Sequence, residues 1–269
     1  MTVLEALAEI ERWIAEASGR ARYVTTPNLD HLVLLRKNAE LREAYRHASL
    51  VTADGWPVVS LARWLGDPLP ERVAGSDLCP LLCARAAAAR RTLKLFLLGG
   101  KPGVADRAAA RLQADYPGVI VVGTASPPLG FEKVRQANQL LVEQVNRSGA
   151  DLLLLGLGAP KQELWIHAHA PQIAVPAVLC GGATIDFLAG EQRRAPHWMR
   201  EHRLEWVHRL ATNPRRLFWR YLTDAWQLPQ IYWAESRHRT SVSSEQAPRG
   251  EASGIPSGQG NPPFGSKVE

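Results

Sequence analysis

The chain has 269 residues, 46% of them apolar, which is enough for one substantial core with an appendage or for two small domains at most, in an ordinary soluble globular protein. Three cysteines, Cys79, Cys83 and Cys180, are odd in number and lack metal-ligand spacing, which points to small buried hydrophobes and reduced thiols in a cytosolic protein. The net charge of +6 is localised: ten Arg stand against five acidic residues between Gly190 and Thr240, a local excess of +5, so the body before it is close to neutral.

The opening segment, MTVLEALAEIERWIAEA, places three acidic residues before its first basic one. It reads as an amphipathic helix and lacks the basic start and apolar centre of a signal peptide. The runs RYVTT, SLVTA, LKLFLLGG, VIVVGT, DLLLLGLG and AVLCGG follow as strands, and the stretches 28–47, 76–91, 103–116, 132–148 and 160–170 have the Ala, Leu and Arg content of helices. The longest apolar run, around LLLLGLG, falls far short of the roughly 18 residues of a membrane span. No repeat of fixed period occurs. Strand-helix alternation predicts an α/β fold over residues 1–195, a Rossmann-like, mostly parallel sheet with helices on both faces. Residues 196–236 form a helical appendage rich in Arg and holding five of the nine tryptophans, Trp198, Trp206, Trp219, Trp226 and Trp233. Residues 237–269 turn to Ser, Gly, Pro and Gln and are expected to form a disordered tail.

In such sheets ligands bind beyond the carboxyl ends of the strands. The polar and glycine punctuation lies there: Thr26, Pro27 and Asn28, then Asp54 and Gly55, Gly99 and Gly100, Gly156 and Gly158, and Gly181 and Gly182. Glycine at a strand-to-helix turn lets the backbone approach a phosphate at a helix start, although glycines also simply make tight turns. The GGKPG segment has neither the P-loop Lys-Ser/Thr pair nor the full dinucleotide fingerprint. His167 and His169 stand two apart on a predicted helix, so they point to different faces and do not make a metal site. There is no Asp-x-Asp to hold a divalent ion, and no nucleophile signature of the Gly-x-Ser-x-Gly or Cys-His kind. In LVTADGWP an apolar strand ends on Asp54, a position that suits a helix N-cap or a turn as well as a functional carboxylate.

Taken together, TTPNLDHL, the ADG of LVTADGWP, LPERVAGSDL, FLLGGKPG, LLLLGLGAPKQE, CGGATIDFLAG, RRAPHWMR and LEWVHRLATNPRRLFWRYL resemble, in order and spacing, the WecG/TagA/CpsF glycosyltransferases, glycosyltransferase family 26. The resemblance covers roughly Tyr23 to Ile231. It implies a cytosolic, membrane-peripheral enzyme that moves a sugar, with inversion, from a UDP-sugar to a polyprenyl-diphosphate-linked saccharide during assembly of a surface polymer. The sugars in view are N-acetylmannosamine, its uronic acid, glucose and glucuronic acid.

The resemblance assigns Asp54 as the base that takes the acceptor proton, a role open to a carboxylate within hydrogen-bond reach. Thr26 and Asn28 match the family's Thr-x-Asn pair and would orient the sugars, with a turn and helix cap as their alternative role. Arg72 matches an Arg held to contact the donor, where a guanidinium fork suits a diphosphate; a plain surface Arg is the alternative. Gly99, Gly100 and Gly158 stand as phosphate-side glycines, Gln162 as a contact for uracil, ribose or phosphate, and Lys161 and Asp186 as binding residues with solvated or structural alternatives. In the appendage, Arg209, Arg216 and Arg220 would neutralise the departing diphosphate, so that neither a metal nor a cofactor is expected. Arg and Trp on an amphipathic helix also suit an anionic membrane surface, or else a homo-oligomer contact with a solvated basic face. Arg203 replaces the family's usual Gly before LEW, and ASPPLGFE replaces an aromatic segment after the fourth strand. Two rivals remain: a nucleotide-dependent oxidoreductase, which would bind NADH, and a nucleic-acid-binding protein, which would bind oligonucleotides in a salt-dependent way. Nucleic acid is not the expected partner.

Overall fold

A computed structural model describes residues 1–192, 195–196, 199, 205–212 and 214–245. Strands β1 (Arg22–Thr25), β2 (Leu50–Val51), β3 (Leu93–Gly99), β4 (Val119–Ala125), β5 (Leu152–Gly156) and β6 (Ala177–Cys180) form one sheet of order β2-β1-β6-β5-β3-β4. Every pairing is parallel. All six strands coincide with the apolar runs of the sequence, and the mostly parallel sheet expected is wholly parallel.

Side chains alternate across the sheet as the pleat requires. Leu93, Leu95, Leu97, Leu152, Leu154 and Leu179 face one layer, while Phe96, Leu98, Leu153, Leu155, Val178 and Cys180 face the other. The first layer is covered by α1 (Val3–Glu16), α5 (Gly75–Ala88), α6 (Val104–Asp115) and α9 (Thr184–Ala189), the second by α7 (Arg135–Arg147) and α8 (Lys161–His169). Helix α1 buries Ala6, Leu7, Ile10 and Trp13 at helical spacing and starts on a Thr2–Glu5 capping box. Cys79, Cys83 and Cys180 are buried free thiols, as expected.

Local chemistry explains where the helices differ from the sequence reading. The stretch 28–47 is two helices, α2 (Leu29–Lys37) and α3 (Ala39–Arg46), because Asn38 leaves the helical conformation with ψ 107° and its Oδ1 accepts from the Leu41 amide at 2.9 Å, capping the second helix. A helix outside the predicted stretches, α4 (Trp56–Trp64), opens directly after Gly55, since proline is favourable in a first helical turn. His167 and His169 do part company: His167 meets Tyr23 and His47, and His169 stacks on Trp165.

The appendage contains α10 (Glu205–Thr212) and α11 (Pro214–Glu245). Helix α11 packs back on the body through Leu228, Ile231 and Tyr232, which join Leu29, Leu32 and Val33 of α2 and Leu61 of α4. It passes the 236/237 boundary where the sequence places the tail, because SRHRTSVSSE contains no Pro or Gly to stop it. The rest of the expected tail, residues 246–269, lies outside the described residues.

Candidate active site

The segments after β1 and β2 lie side by side. The Thr52 amide donates to the Thr25 carbonyl at 3.0 Å and the Asp54 amide to the Pro27 carbonyl at 2.9 Å. On the other flank the Val73 amide donates to the Ala53 carbonyl at 2.9 Å, and Thr52 Oγ1 to the Val73 carbonyl at 3.0 Å. This lattice draws Arg72 to Asp54. The N-cap of α4 is Gly55, with φ 105°, so Asp54 stands one residue before the N-cap position. Its Oδ1 accepts from Arg72 Nη1 at 3.2 Å, while Arg72 Nη2 reaches Asp77 Oδ2 at 3.1 Å in the first turn of α5. The Asp54 and Asp77 side chains are 22% and 21% exposed, and Arg72 14%. One guanidinium therefore spans two carboxylates that are sheltered yet reachable from solvent.

Thr26 and Asn28 hold the floor of this corner. A Cβ on Gly75 would stand 2.9 Å from Thr26 Oγ1 and 3.2 Å from the Cys180 carbonyl, so the start of α5 is seated on the ends of β1 and β6. Thr26 is buried and donates to the Cys180 carbonyl at 3.5 Å. Asn28 caps α2, accepting from the His31 amide at 3.3 Å while its own amide donates to His31 Nδ1 at 3.2 Å. The capping role foreseen for Asn28 is thus realised.

The rim continues across β6, β5 and β3. Gln162 Oε1 accepts from the Gly182 amide at 3.0 Å, and its Nε2 donates to Glu163 Oε1 at 2.8 Å. Lys161 Nζ lies 3.3 Å from Glu132 Oε2. Gly99, with φ 133°, is a glycine for packing: a Cβ there would stand 2.3 Å from the Gly156 carbonyl. A Cβ on Gly100 would meet Val104 at 3.2 Å, whereas Gly158, with φ 77°, faces open space. Gly158, like Gly182 with φ 55°, therefore leaves open space at the rim. Asp186, in the first turn of α9, accepts from Gln192 at 3.2 Å. Burial, and secondly Glu191, push its carboxyl above the usual range, with Lys101 opposing.

The family model described as the glycosyl transferase WecG/TagA/CpsF family matches residues 1–241. The chain belongs to that family. As a WecG/TagA/CpsF-family glycosyltransferase of cell-surface polymer synthesis, it takes a sugar donor and an acceptor. In this family member the strand-end rim gathers Thr26, Asn28, Asp54 and Arg72 on one side, Gly158, Lys161 and Gln162 on another, and Gly99, Gly100 and Asp186 beyond them.

The side chains of Arg209, Arg216 and Arg220 lie outside the described residues, as do Trp198 and Arg203; α10 and α11 carry the first three by backbone only. The described part of α11 exposes Phe218, Trp219, Leu222, Trp226 and Trp233, which fall within an arc of about 100° at helical periodicity. The sequence reading passed over Asp77, His31 and Glu163. Asp77 stands three residues into a helix, where a cap is the ordinary role. Glu163 was legible only as the neighbour of Gln162, although it is 0% exposed, an unusual place for a carboxylate.

Proposed function

We propose that this glycosyltransferase is an inverting, metal-independent hexosyltransferase. It moves a sugar of the N-acetylmannosamine, N-acetylmannosaminuronic, glucose or glucuronic type from a UDP-sugar to a polyprenyl-diphosphate-linked saccharide, at the inner face of the plasma membrane, in building a polysaccharide or teichoic acid-like polymer. The observation that carries this reading is the Asp54 carboxylate, held by Arg72 at the carboxyl end of β2, one residue before Gly55 at the N-cap of α4. In inverting transfer the acceptor hydroxyl attacks the anomeric carbon. Asp54 takes the hydroxyl proton, the new glycosidic bond forms, and the bond to UDP breaks with UDP leaving on the opposite side. Arg72, the free amides at the start of α8 and the appendage arginines Arg209, Arg216 and Arg220 would meet the charge of the departing diphosphate.

The aromatic stripe of α11 supports membrane docking, because tryptophan and arginine together suit the headgroup region. Among the described residues no helix is long and apolar enough to cross a membrane. A groove of about 450 Å³ between Trp64 and Leu228, Pro229, Tyr232 and Trp233 of α11 adds apolar surface next to that stripe. The test is a mass-spectrometric screen of UDP-sugars against lipid-diphosphate acceptors, run in EDTA. Transfer of one sugar with release of UDP is expected. Activity lost in EDTA and restored by magnesium or manganese would overturn the metal-free step, and NADH binding without UDP binding would favour an oxidoreductase.

A further inference from the structure

Behind the rim, where β1, α2, α3 and α8 meet, four buried polar atoms have no hydrogen-bond partner among the described residues: Thr25 Oγ1, His31 Nε2, Tyr45 Oη and Glu163 Oε2. Buried polar atoms are nearly always partnered, so a cluster of such atoms calls for a reason. His31 Nδ1 accepts the Asn28 amide, which assigns the proton of the neutral ring to Nε2. That nitrogen lies 3.6 Å from Glu163 Oε1, too far for a good direct bond but within reach of one through water. The Tyr45 ring lies 6.5 Å from the His31 ring. Burial, and next the charge of Glu163, push the Tyr45 phenol far up, so its hydroxyl keeps its proton and remains a donor. The donor nearest this carboxylate is His31 Nε2, and the Tyr45 phenol lies close enough to feel its charge.

The same carboxylate decides how Gln162 is oriented. With Oε1 on the Gly182 amide and Nε2 on Glu163, a flip of the Gln162 amide would set donor against donor and acceptor against acceptor. Hydrogen bonds thus run from Gly182 through Gln162 to Glu163 and from His31 to Asn28, and the two stretches face each other across the 3.6 Å between His31 Nε2 and Glu163 Oε1. We propose that Glu163 and His31 are positioning residues: Glu163 clamps Gln162 toward Gly182 and, through His31, ties the Asn28 end of α2 to the β5 and β6 ends. One buried group then sets two sides of the mouth. The catalytic consequence rests on the reading that Gln162 and Asn28 face a sugar nucleotide, whereas the clamp itself does not.

A double-mutant cycle on the full-length protein tests it. In Glu163→Ala, hydrogen exchange at the Gly182 amide should accelerate and KM for the UDP-sugar should rise, each by about five- to tenfold, as expected for one lost hydrogen bond; kcat should change less. Adding Gln162→Ala should then cost under about twofold more, because its orientation is already lost. Additive effects, or unchanged Gly182 exchange, would overturn the proposal. If Glu163→Ala does not fold, Glu163→Gln, which keeps the volume and one acceptor oxygen, carries the same cycle with smaller effects of the same sign. His31→Asn supplies an acceptor near Nδ1 for the cap and removes the Nε2 proton. It should raise KM severalfold if His31 links to Glu163, and wild-type KM would reduce His31 to a cap and overturn its half of the proposal. Should wild-type protein fail to bind UDP in calorimetry, the sugar-nucleotide reading fails, while Gly182 exchange in Glu163→Ala still decides the clamp.

Discussion

Asp54→Asn keeps the shape of the side chain while removing its charge and basicity, and the structure allows the two consequences to be sized separately. Arg72 spans Asp54 at 3.2 Å and Asp77 at 3.1 Å, so neutralising Asp54 leaves the guanidinium with a carboxylate. The pair is neither fully exposed nor fully buried. Its loss falls at the top of the roughly 0.2–1 kcal/mol of a surface pair and well short of the 3–5 kcal/mol of a broken buried one, about 1 kcal/mol. For a protein of this size that lowers Tm by about 2–4 °C. If Asp54 is the base, turnover should fall by about a hundredfold or more, at least 2.7 kcal/mol of barrier. The assay is UDP release with a water-soluble acceptor analogue, beside calorimetric UDP binding, which should stay within about threefold of wild type. Asp77→Asn is the control: it takes the other carboxylate from Arg72 at similar cost in stability and should lower turnover by about tenfold at most. Wild-type turnover in Asp54→Asn would refute the assignment. So would an equal loss in Asp77→Asn, which would mean that both carboxylates act only by holding Arg72.

Further outcomes follow from the packing and the charges. Gly99→Ala combines a Cβ 2.3 Å from the Gly156 carbonyl with φ 133°, whereas Gly158→Ala has φ 77° and open space; calorimetric unfolding should show a loss of at least about 3 kcal/mol for the first and about 1 kcal/mol for the second. Equal losses would show that backbone strain alone matters. The raised Asp186 carboxyl means that the unfolded chain gives up this proton more readily than the folded one. Its contribution to stability is complete below the ordinary Asp range near pH 4 and is lost as pH rises through the higher folded value. Asp186→Asn should therefore melt above wild type at pH 7 and not at pH 3, and an equal difference at both would refute the burial argument. Replacing Trp226 and Trp233 together by Ser should weaken sedimentation with anionic vesicles by about tenfold or more while leaving Tm within a few degrees, since both side chains are exposed. Undiminished binding would remove the stripe from the docking surface.

The six strands could be read from the sequence because each is a local run of apolar residues between breakers, and a strand buried on both faces needs no more information than that. The rim could be read as well: in a parallel sheet the strand ends that carry Thr26, Asn28, Asp54, Gly158 and Gln162 must open on one side. What these residues do there depends on partners far away in the chain. Asp54 suited the N-cap position until the fold gave that position to Gly55 and set Arg72 against the carboxylate. Gly99 suits a phosphate turn equally well, and only the approach of Gly156 gives it a packing reason. Glu163 looked like the neighbour of Gln162 until folding buried it opposite His31, 132 positions away in the numbering (163 − 31). Periodicity and turn chemistry act over a few residues, so the sequence by itself determined the strands and the side of the sheet on which their loops gather. Hydrogen bonds and desolvation act on whatever the fold brings within about 3 Å, so only the tertiary structure decided which carboxylate meets which partner.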